Sequence, residues 1–308
     1  MDAILAMLVT VIGLCIFETI SSIDNAIINA QVLSTMGAKM RRWFLVWGLL
    51  LAVFVVRGIL PWLIVWLASP GFGPIEALTA TFSSDESVKA AMERSTPILL
   101  SGGGVFLVLL FLHWLFLEDK EFGIIGEKFF YDRGIWFYAV ASVFLCVVIW
   151  ESLKLADPMV AFSAAVGSSA FFITHGFRAN AEESERRMLE DRGMSDMSKV
   201  LFLQVIDATF SIDGVIGAFA FTRSVPLILL GNGLGALVVR QLTVSNIDRI
   251  RRYRYLQNGA MYSILFLGAV MIAESFGAHI PFYVSPILTI GSVAFFFWKS
   301  CRHLRETE

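Results

Sequence analysis

Four carboxylates occur as two pairs inside long apolar stretches of this sequence. Glu18 is followed six residues later by Asp24, and Asp207 is followed six residues later by Asp213. An ionised carboxylate at the centre of a lipid bilayer costs at least about 2.5–3.5 kcal/mol, so such groups need partners. Together with the amide of Asn25, these oxygens are the ligand type preferred by hard or borderline cations such as Mn²⁺, Mg²⁺ and Ca²⁺.

We therefore predict a cation site that draws on both motifs. The predicted metal ligands are Glu18, Asp24, Asn25, Asp207 and Asp213, and the predicted supporting residues are Ser22, Ser211, Arg57 and Arg240. No Cys or His lies beside the motifs, which disfavours Zn²⁺ or Cu⁺ as the natural ion. Two other interpretations stay open. The acids could relay protons only, or they could form structural ion pairs with the two arginines.

The spacing within each motif bears on the shape of its helix. Six residues of an ideal α-helix turn through 600°, so the second acid lies about 120° away from the face that carries the first. Either the helix is interrupted at the Ser-Ile-Asp triplet or the second acid faces another partner. Gly214 and the length of the first apolar stretch favour an interruption. The offset also makes Asp24 and Asp213 candidate partners for Arg57 or Arg240.

The amino-acid composition indicates the class of protein in which these residues lie. Of the 308 residues, 57% are hydrophobic and 16% are charged, and the mean hydropathy is +0.72. Soluble domains have about 45–50% apolar and about 25% charged residues, so a water-soluble enzyme is nearly excluded. We predict an all-α polytopic membrane protein that forms a single domain over residues 1–308. Its nine or so transmembrane helices are expected near 3–33, 43–68, 97–117, 135–153, 159–176, 200–222, 225–242, 259–276 and 282–298.

The spans that follow the two motifs also match each other. Residues 52–57 read AVFVVR and residues 235–240 read GALVVR. Spans one and six are five steps apart, so they cross the membrane in opposite directions. We therefore predict an inverted repeat of spans 1–3 (about 3–117) and 6–8 (about 200–276), with linking spans at about 135–176 and a final span at about 282–298. Transporters of this plan hold their site near the membrane midplane at the repeat interface.

The distribution of Lys and Arg predicts the orientation. Of the 24 basic residues, 18 lie on alternate connections and in the C-terminal tail, and four lie on the opposite connections. Because cytoplasmic loops carry the excess of basic residues, we expect a cell-membrane protein with its N-terminus outside and its C-terminus in the cytoplasm. His113 is expected to be a packing histidine and His175 an interfacial one. The roles of Glu151, Glu274 and the 177–199 loop stay open.

At its two motifs the chain resembles the TerC family of integral membrane proteins. Members carry a Glu and then a Ser-x-Asp-Asn-Ala box, matched here by Glu18, Ser22, Asp24, Asn25 and Ala26. They also carry a later Asp, a Phe, an Asp-Ser-Ile-Pro-Ala segment and a Thr, matched here by Asp207, Phe210, Asp213 and Thr222. Gly214 stands in place of that Ser and Ile216 in place of that Pro, which bears on the geometry of the second half-site.

The TerC family is linked in some members to Mn²⁺ export and metal homeostasis, and historically to tellurite resistance. The resemblance therefore implies a transporter that exports a divalent cation, Mn²⁺ foremost, by alternating access at a midplane carboxylate site. The alternative is a non-transporting membrane scaffold in a metal or tellurite stress response. We expect no enzymatic activity, because no nucleophile–base pair stands beside the acids. The expected partners are membrane lipid and the transported cation, with no cofactor and no nucleic acid, and a homo-oligomer stays open.

Overall fold

The computed structural model describes residues 2–48, 51, 57–68, 73–79, 86–155, 157–190, 195–245 and 252–307. Within them the α-helices are α1 (Asp2–Ser21), α2 (Ile23–Ser34), α3 (Ala38–Trp43), α4 (Arg57–Ala68), α5 (Pro74–Thr79), α6 (Glu86–Leu117), α7 (Glu127–Tyr131), α8 (Phe137–Lys154), α9 (Pro158–Glu190), α10 (Asp196–Ala218), α11 (Val225–Ser245), α12 (Leu256–Ser275) and α13 (Val284–Thr307). A π-helix (Phe44–Gly48) and a 3-10 helix (Gly134–Trp136) complete the set. These ranges contain no β-strand, so the predicted all-α class is confirmed.

Seven of the described helices are long and apolar enough to cross a membrane. They cover Ile4–Ser21, Arg94–Leu117, Gly134–Lys154, Pro158–Asn180, Asp196–Ala218, Leu256–Ser275 and Val284–Glu306. Two shorter apolar helices, Arg57–Leu67 and Val225–Gln241, lie where the second and seventh spans were predicted. The polytopic membrane fold is thus confirmed. The inverted repeat, the domain boundaries and the orientation stay predictions.

The first predicted span consists of two helices. α1 ends at Ser21 and α2 begins at Ile23, so that the chain leaves helical geometry at Ser22, with φ −92° and ψ 6°. In contrast, α10 runs unbroken from Asp196 to Ala218 and includes the second Ser-Ile-Asp triplet. The predicted interruption is therefore confirmed in the first motif and wrong in the second.

Glycines allow the helices that carry the motifs to pack closely. A Cβ added at Gly235 of α11 would lie 2.6 Å from the Cβ of Glu18 on α1. A Cβ at Gly167 of α9 would lie 2.0 Å from the carbonyl oxygen of Gly102 on α6. Small residues are the usual means of close helix packing in membranes. The glycine-rich segments 102–104 and 231–235 therefore lie where helices approach each other closely.

The main apolar core lies between helices α1, α6, α10 and α12. Leu14, Phe106, Val215 and Leu267 are among its buried side chains. Helix α10 packs against several helices, among them α1, α2, α4, α6 and α9. Its two acids therefore meet different neighbours.

Candidate functional site

The first polar cluster joins the two motifs through one arginine. Arg57 Nε and Nη2 donate hydrogen bonds to Glu18 Oε1 at 2.9 and 2.6 Å, and Arg57 Nη1 lies 3.8 Å from Asp207 Oδ2. Ser22 Oγ donates to the same Glu18 oxygen at 2.8 Å. The side chains of Arg57 and Glu18 are only 3% and 1% exposed. With all three groups ionised, two acids share one arginine and the cluster keeps one net negative charge.

A cavity of about 60 Å³ lies beside this cluster. Its lining includes Asp207, Asn25, Asn29 and Arg57. Asn25 Nδ2 donates to Asp207 Oδ1, so the amide oxygen of Asn25 is turned away from the acid. Asn25 Oδ1 and Asn29 Oδ1 are buried and have no hydrogen-bond partner among the described residues. Such an oxygen costs about 1–3 kcal/mol, so these two atoms favour a bound cation or water, for which the cavity has room.

The predicted supporting residues take different positions. Arg57 and Ser22 contact Glu18 as described above. Arg240 lines the cavity, but no charged partner of Arg240 occurs in the described part of the chain. Ser211 Oγ donates to the backbone oxygen of Asp207 at 2.5 Å, so its hydroxyl is bound to its own helix. The two arginines of the matched segments therefore have unequal surroundings.

The second polar cluster surrounds Asp213. Arg178 Nη2, on α9, donates to Asp213 Oδ2. A cavity of about 40 Å³ is lined by both residues and by Glu118. The expected pairing of Asp213 with Arg57 or Arg240 is therefore wrong, because α9 supplies a closer arginine. The side chain of Asp24 lies outside the described residues, so its predicted pairing stays a prediction.

The structure brings together only part of the predicted ligand set. Glu18, Asn25 and Asp207 lie in one cluster, whereas Asp213 lies in the other. Six residues of unbroken α10 correspond to a rise of about 9 Å, which is too far for Asp207 and Asp213 to share an ion at metal–oxygen distances of about 2.0–2.6 Å. Across the described ranges, no three His, Cys, Asp or Glu side chains lie close enough to hold a metal ion together.

The backbone at Gly214 lies too close to Glu18 for a side chain. A Cβ at this position would lie 2.5 Å from Glu18 Oε2. Asn232 Nδ2 donates to the carbonyl oxygen of Gly214 at 3.4 Å, which adds a polar contact from α11. The missing side chain thus lets α10 pass directly beside the carboxylate of Glu18.

Sequence reasoning missed the groups that extend the Asp213 cluster. His113 Nδ1 lies 3.2 Å from Glu118 Oε1, and the ring centres of His113 and His175 are 3.9 Å apart. His113 also packs against Phe137, as a packing histidine would. Two signals could have revealed the group: Glu118 directly follows an apolar span, and His175 and Arg178 are three residues apart on one helix face.

The carboxyl of Glu118 is held in its ionised form. Burial raises its pKa, but the hydrogen bond with His113 and the charges of His113, Arg178 and His175 lower it, with a net pKa below the ordinary value.

The remaining candidate acids form ion pairs near helix ends. Glu151 Oε1 accepts from Lys154 Nζ at 2.7 Å, and Glu274 Oε2 accepts from Arg223 Nη2 at 3.1 Å. Neither acid lines the two cavities described above.

Comparison with known proteins identifies the family to which the chain belongs. The model of a family described as "Protein of unknown function (DUF475)" matches residues 23–307. The name of the matching family is not TerC, so the resemblance to TerC stays a prediction. No solved structure matches the chain.

Two curated proteins are similar over part of their length. The uncharacterized membrane protein RP786 of Rickettsia prowazekii (strain Madrid E) is 27% identical over 96 residues, which cover 31% of this chain and 32% of that protein. The uncharacterized membrane protein YceF of Bacillus subtilis (strain 168) is 28% identical over 95 residues, which cover 31% of this chain and 37% of that protein. The chain thus spans about a third of the length of these relatives, whose names agree with a membrane location.

Proposed function

Since the chain belongs to the DUF475 family of proteins of unknown function, we propose its function from its polar clusters. We propose a multi-pass membrane transporter that exports a divalent cation, with Mn²⁺ as the first candidate, by alternating access. Proton exchange drives the export, because carboxylates release protons as they bind a metal. The transport step involves no enzymatic reaction and no resident cofactor.

The observation that carries this proposal is the cavity beside Asp207, whose polar lining includes the amides of Asn25 and Asn29. The acid and the unpartnered amide oxygens of Asn25 and Asn29 offer a hard cation the ligands it prefers. Arg240 also lines the cavity, so the two arginines balance Glu18 and Asp207, and the ligand oxygens rather than a net charge support the proposal. The resemblance to TerC supports Mn²⁺ in particular.

In this proposal Asp207 and Asp213 bind the transported cation one after the other. Their separation of about 9 Å along α10 suits a cation that passes from one acid to the next. Asp24 supplies a further ligand at one of these two binding positions when a cation is bound. In this scheme the five predicted ligands serve the same ion at different times rather than all at once.

A scaffold without a transport cycle is the second candidate function. It is favoured by the ion pairs of Glu18 with Arg57 and of Asp213 with Arg178. It is also favoured by the lack of a three-residue metal cluster within the described residues. In this case the acids would fix helix packing, and neither cavity would take up a cation.

Cation accumulation in everted membrane vesicles tests the proposal. Mn²⁺, Mg²⁺, Ca²⁺, Zn²⁺ and Co²⁺ are offered separately to vesicles with matched amounts of wild type, Asp207→Asn and Glu151→Gln. Export predicts uptake of one cation by wild type and by the Glu151→Gln control, whose acid is an exposed partner of Lys154. Asp207→Asn is expected to lose this uptake at least about tenfold, which corresponds to about 1.4 kcal/mol. Wild-type vesicles that accumulate none of the five ions, with or without a pH gradient, would favour the scaffold.

A further inference from the structure

Three amide side chains lie in the region where α2 meets α10, and one of them, Gln204, is outside the predicted ligand set. Gln204 lies on α10, three residues before Asp207. Its Nε2 and Oε1 atoms are both buried and have no hydrogen-bond partner among the described residues. The same holds for the side-chain oxygens of Asn25 and Asn29 on α2. Buried polar groups without a partner are uncommon in proteins, so three amides in one region indicate that this region binds a polar or charged ligand.

The amide of Gln204 lies against the wall of the cavity beside Asp207. Gly48 belongs to that wall, as do Asn25 and Asn29. A Cβ added at Gly48 would lie 2.7 Å from Gln204 Nε2, so the amide occupies the space that a side chain at position 48 would fill. The lack of a side chain at Gly48 thus lets an amide of α10 reach the edge of the cavity.

Contacts at two levels fix the register of α2 against α10. Asn25 Nδ2 donates to Asp207 Oδ1 in the middle of the two helices. Lys199 Nζ donates to Thr35 Oγ1 at 3.0 Å, near the end of α2 and the beginning of α10. Residue numbers rise along one helix as they fall along the other. The two helices are therefore antiparallel.

This register places Asn29 and Gln204 at the same level, about one helical turn from Asp207. Starting from the contact of Asn25 with Asp207, α2 advances about 6 Å to Asn29 and α10 goes back about 4.5 Å to Gln204. Residues three or four apart share one face of a helix, so both amides lie on the faces that form that contact. Along α10 they lie on the opposite side of Asp207 from Asp213, toward the predicted cytoplasmic ends of the two helices.

We propose that Asn29 and Gln204 form a second cation-binding position, through which a divalent cation reaches Asp207 from the cytoplasm. This inference rests on the proposed transport function. In an exporter the cation enters from the cytoplasm, so it meets the two neutral amides before it meets the carboxylate. The amide oxygens replace part of its water shell at this position, and the cation then moves on to Asp207.

Neutral amides suit an entry position better than carboxylates do. Amide oxygens are ordinary ligands of hard cations, but they carry no negative charge and hold the ion more weakly. The passage of an ion requires each position to bind it strongly enough for entry and weakly enough for exit. A weak position next to a carboxylate therefore directs the cation toward Asp207.

The cavity has room for a cation that keeps part of its water shell. Its volume is about 60 Å³, whereas one bound water needs about 10–15 Å³. Small divalent cations such as Mg²⁺ usually keep several waters in proteins, and amide oxygens can accept hydrogen bonds from these waters. The same waters would screen the ion from Arg240, which also lines the cavity.

An apolar cluster follows the amides in the direction of the predicted cytoplasmic side. Leu33 and Phe44 line the cavity. They belong to a buried cluster whose other members are Val32, Met36, Val200 and Leu203. The members on α2 follow Asn29 in the sequence, and the members on α10 precede Gln204. Asn29 and Gln204 are thus the first amides of the two helices that an entering cation meets beyond this cluster.

Initial rates of Mn²⁺ uptake test the entry position, because everted vesicles offer the ion at the cytoplasmic face. Wild type is compared with Gln204→Leu at matched amounts and at low Mn²⁺. Loss of a group beside a metal ligand typically costs about 10–100-fold in metal affinity or activity, so we expect the rate to fall at least about tenfold. An unchanged rate would overturn the entry position.

Equilibrium dialysis of the purified full-length protein separates entry from binding at Asp207. Gln204→Leu is expected to bind Mn²⁺ as wild type does, because the Asp207 position keeps its own ligands. A variant that loses binding together with uptake would make Gln204 part of the Asp207 position and would overturn a separate one. In contrast, Gln204→Glu adds a charged ligand, so it should bind one more Mn²⁺ per chain and slow the uptake. The same amount of bound Mn²⁺ as in wild type would contradict the proposal.

Thr289→Val is the matched control for the loss of a buried polar group. Thr289 Oγ1, on α13, is buried without a hydrogen-bond partner among the described residues, and Thr289 does not line the cavity. The control should take up Mn²⁺ at the wild-type rate. A control that slows uptake as much as Gln204→Leu would assign the loss to packing and overturn the entry position.

These measurements separate a failed entry position from a failed transporter. Uptake by wild type with an unchanged rate in Gln204→Leu removes the entry position and leaves the transporter. No uptake by wild type, together with an additional Mn²⁺ bound by Gln204→Glu, removes the transporter and leaves a cation-binding position at the two amides.

Discussion

The two acids of α10 share a helix and a sequence motif, yet their surroundings differ. Asp207 contacts the amide of Asn25, lies 3.8 Å from an arginine that is already bound to Glu18, and borders a cavity with unpartnered oxygens. Asp213 is bound directly by Arg178 and lies near two histidines through Glu118. The surroundings of Asp207 include oxygens without a hydrogen-bond partner among the described residues, whereas Asp213 is directly bound by an arginine.

This difference assigns unlike tasks to similar residues. A carboxylate whose arginine is bound mainly to another acid keeps oxygens that can bind a cation. A carboxylate with its own arginine is neutralised by it. Two acids of one motif, six residues apart on one helix, therefore need not have the same role.

The largest expected effect is on stability, from Arg57→Gln. This change leaves the buried carboxylates of Glu18 and Asp207 without a positive partner. Loss of one member of a buried ion pair costs about 3–5 kcal/mol, so the midpoint of thermal unfolding in detergent should fall strongly. Arg178→Gln should cost less, since its pair is 16% and 12% exposed against 3% and 1% for Arg57 and Glu18. Equal losses from both variants would contradict the contrast between the clusters.

A smaller loss is expected from Gly214→Ser, which places a side chain beside the carboxylate of Glu18. Its Cβ would lie 2.5 Å from Glu18 Oε2, and overpacking of this kind costs about 1–3 kcal/mol. Thermal unfolding of the purified variant measures the loss. Gly176→Ser is the matched control, because a Cβ there meets nothing within 4 Å. An unfolding midpoint like that of the control would show that the close approach of α10 and α1 is not needed.

The smallest effect is expected from Arg240→Gln. Arg240 matches Arg57 in the repeated segments, but among the described residues it has no charged partner. Substitutions away from ion pairs and other buried interactions usually change the free energy of unfolding by less than about 0.5 kcal/mol. The unfolding midpoint should therefore stay near that of wild type. A loss comparable to that of Arg57→Gln would mean that the two arginines are equivalent after all.

Much of the fold could be predicted because it depends on local composition. Apolar length alone located the helices, and the excess length of the first stretch indicated the break at Ser22. The same reasoning was wrong for α10, because Gly214 serves close packing against Glu18 and not a break. A glycine in a helix can mark a break in the helix or a close contact with another helix, and sequence spacing does not distinguish the two.

The arrangement of the site could be predicted only in part, since it depends on contacts between distant segments. The residues of the first cluster were all among the predicted ones, apart from Asn29. Arg178 falls within the predicted 177–199 loop, whereas α9 continues to Glu190, past the predicted end of its span. Its pairing with Asp213 depends on how α9 packs beside α10, which no local pattern contains. The same holds for the contact between His113 and His175.

Direct binding of Mn²⁺ to the purified protein is the most direct test of the contrast between Asp207 and Asp213. Electron paramagnetic resonance distinguishes free from bound Mn²⁺, and the titration is made with wild type, Asp207→Asn and Asp213→Asn. We expect wild type and Asp213→Asn to bind the ion, and Asp207→Asn to lose binding. Equal binding by wild type and Asp207→Asn, or no binding by wild type, would contradict a cation-binding site at the Asp207 cavity.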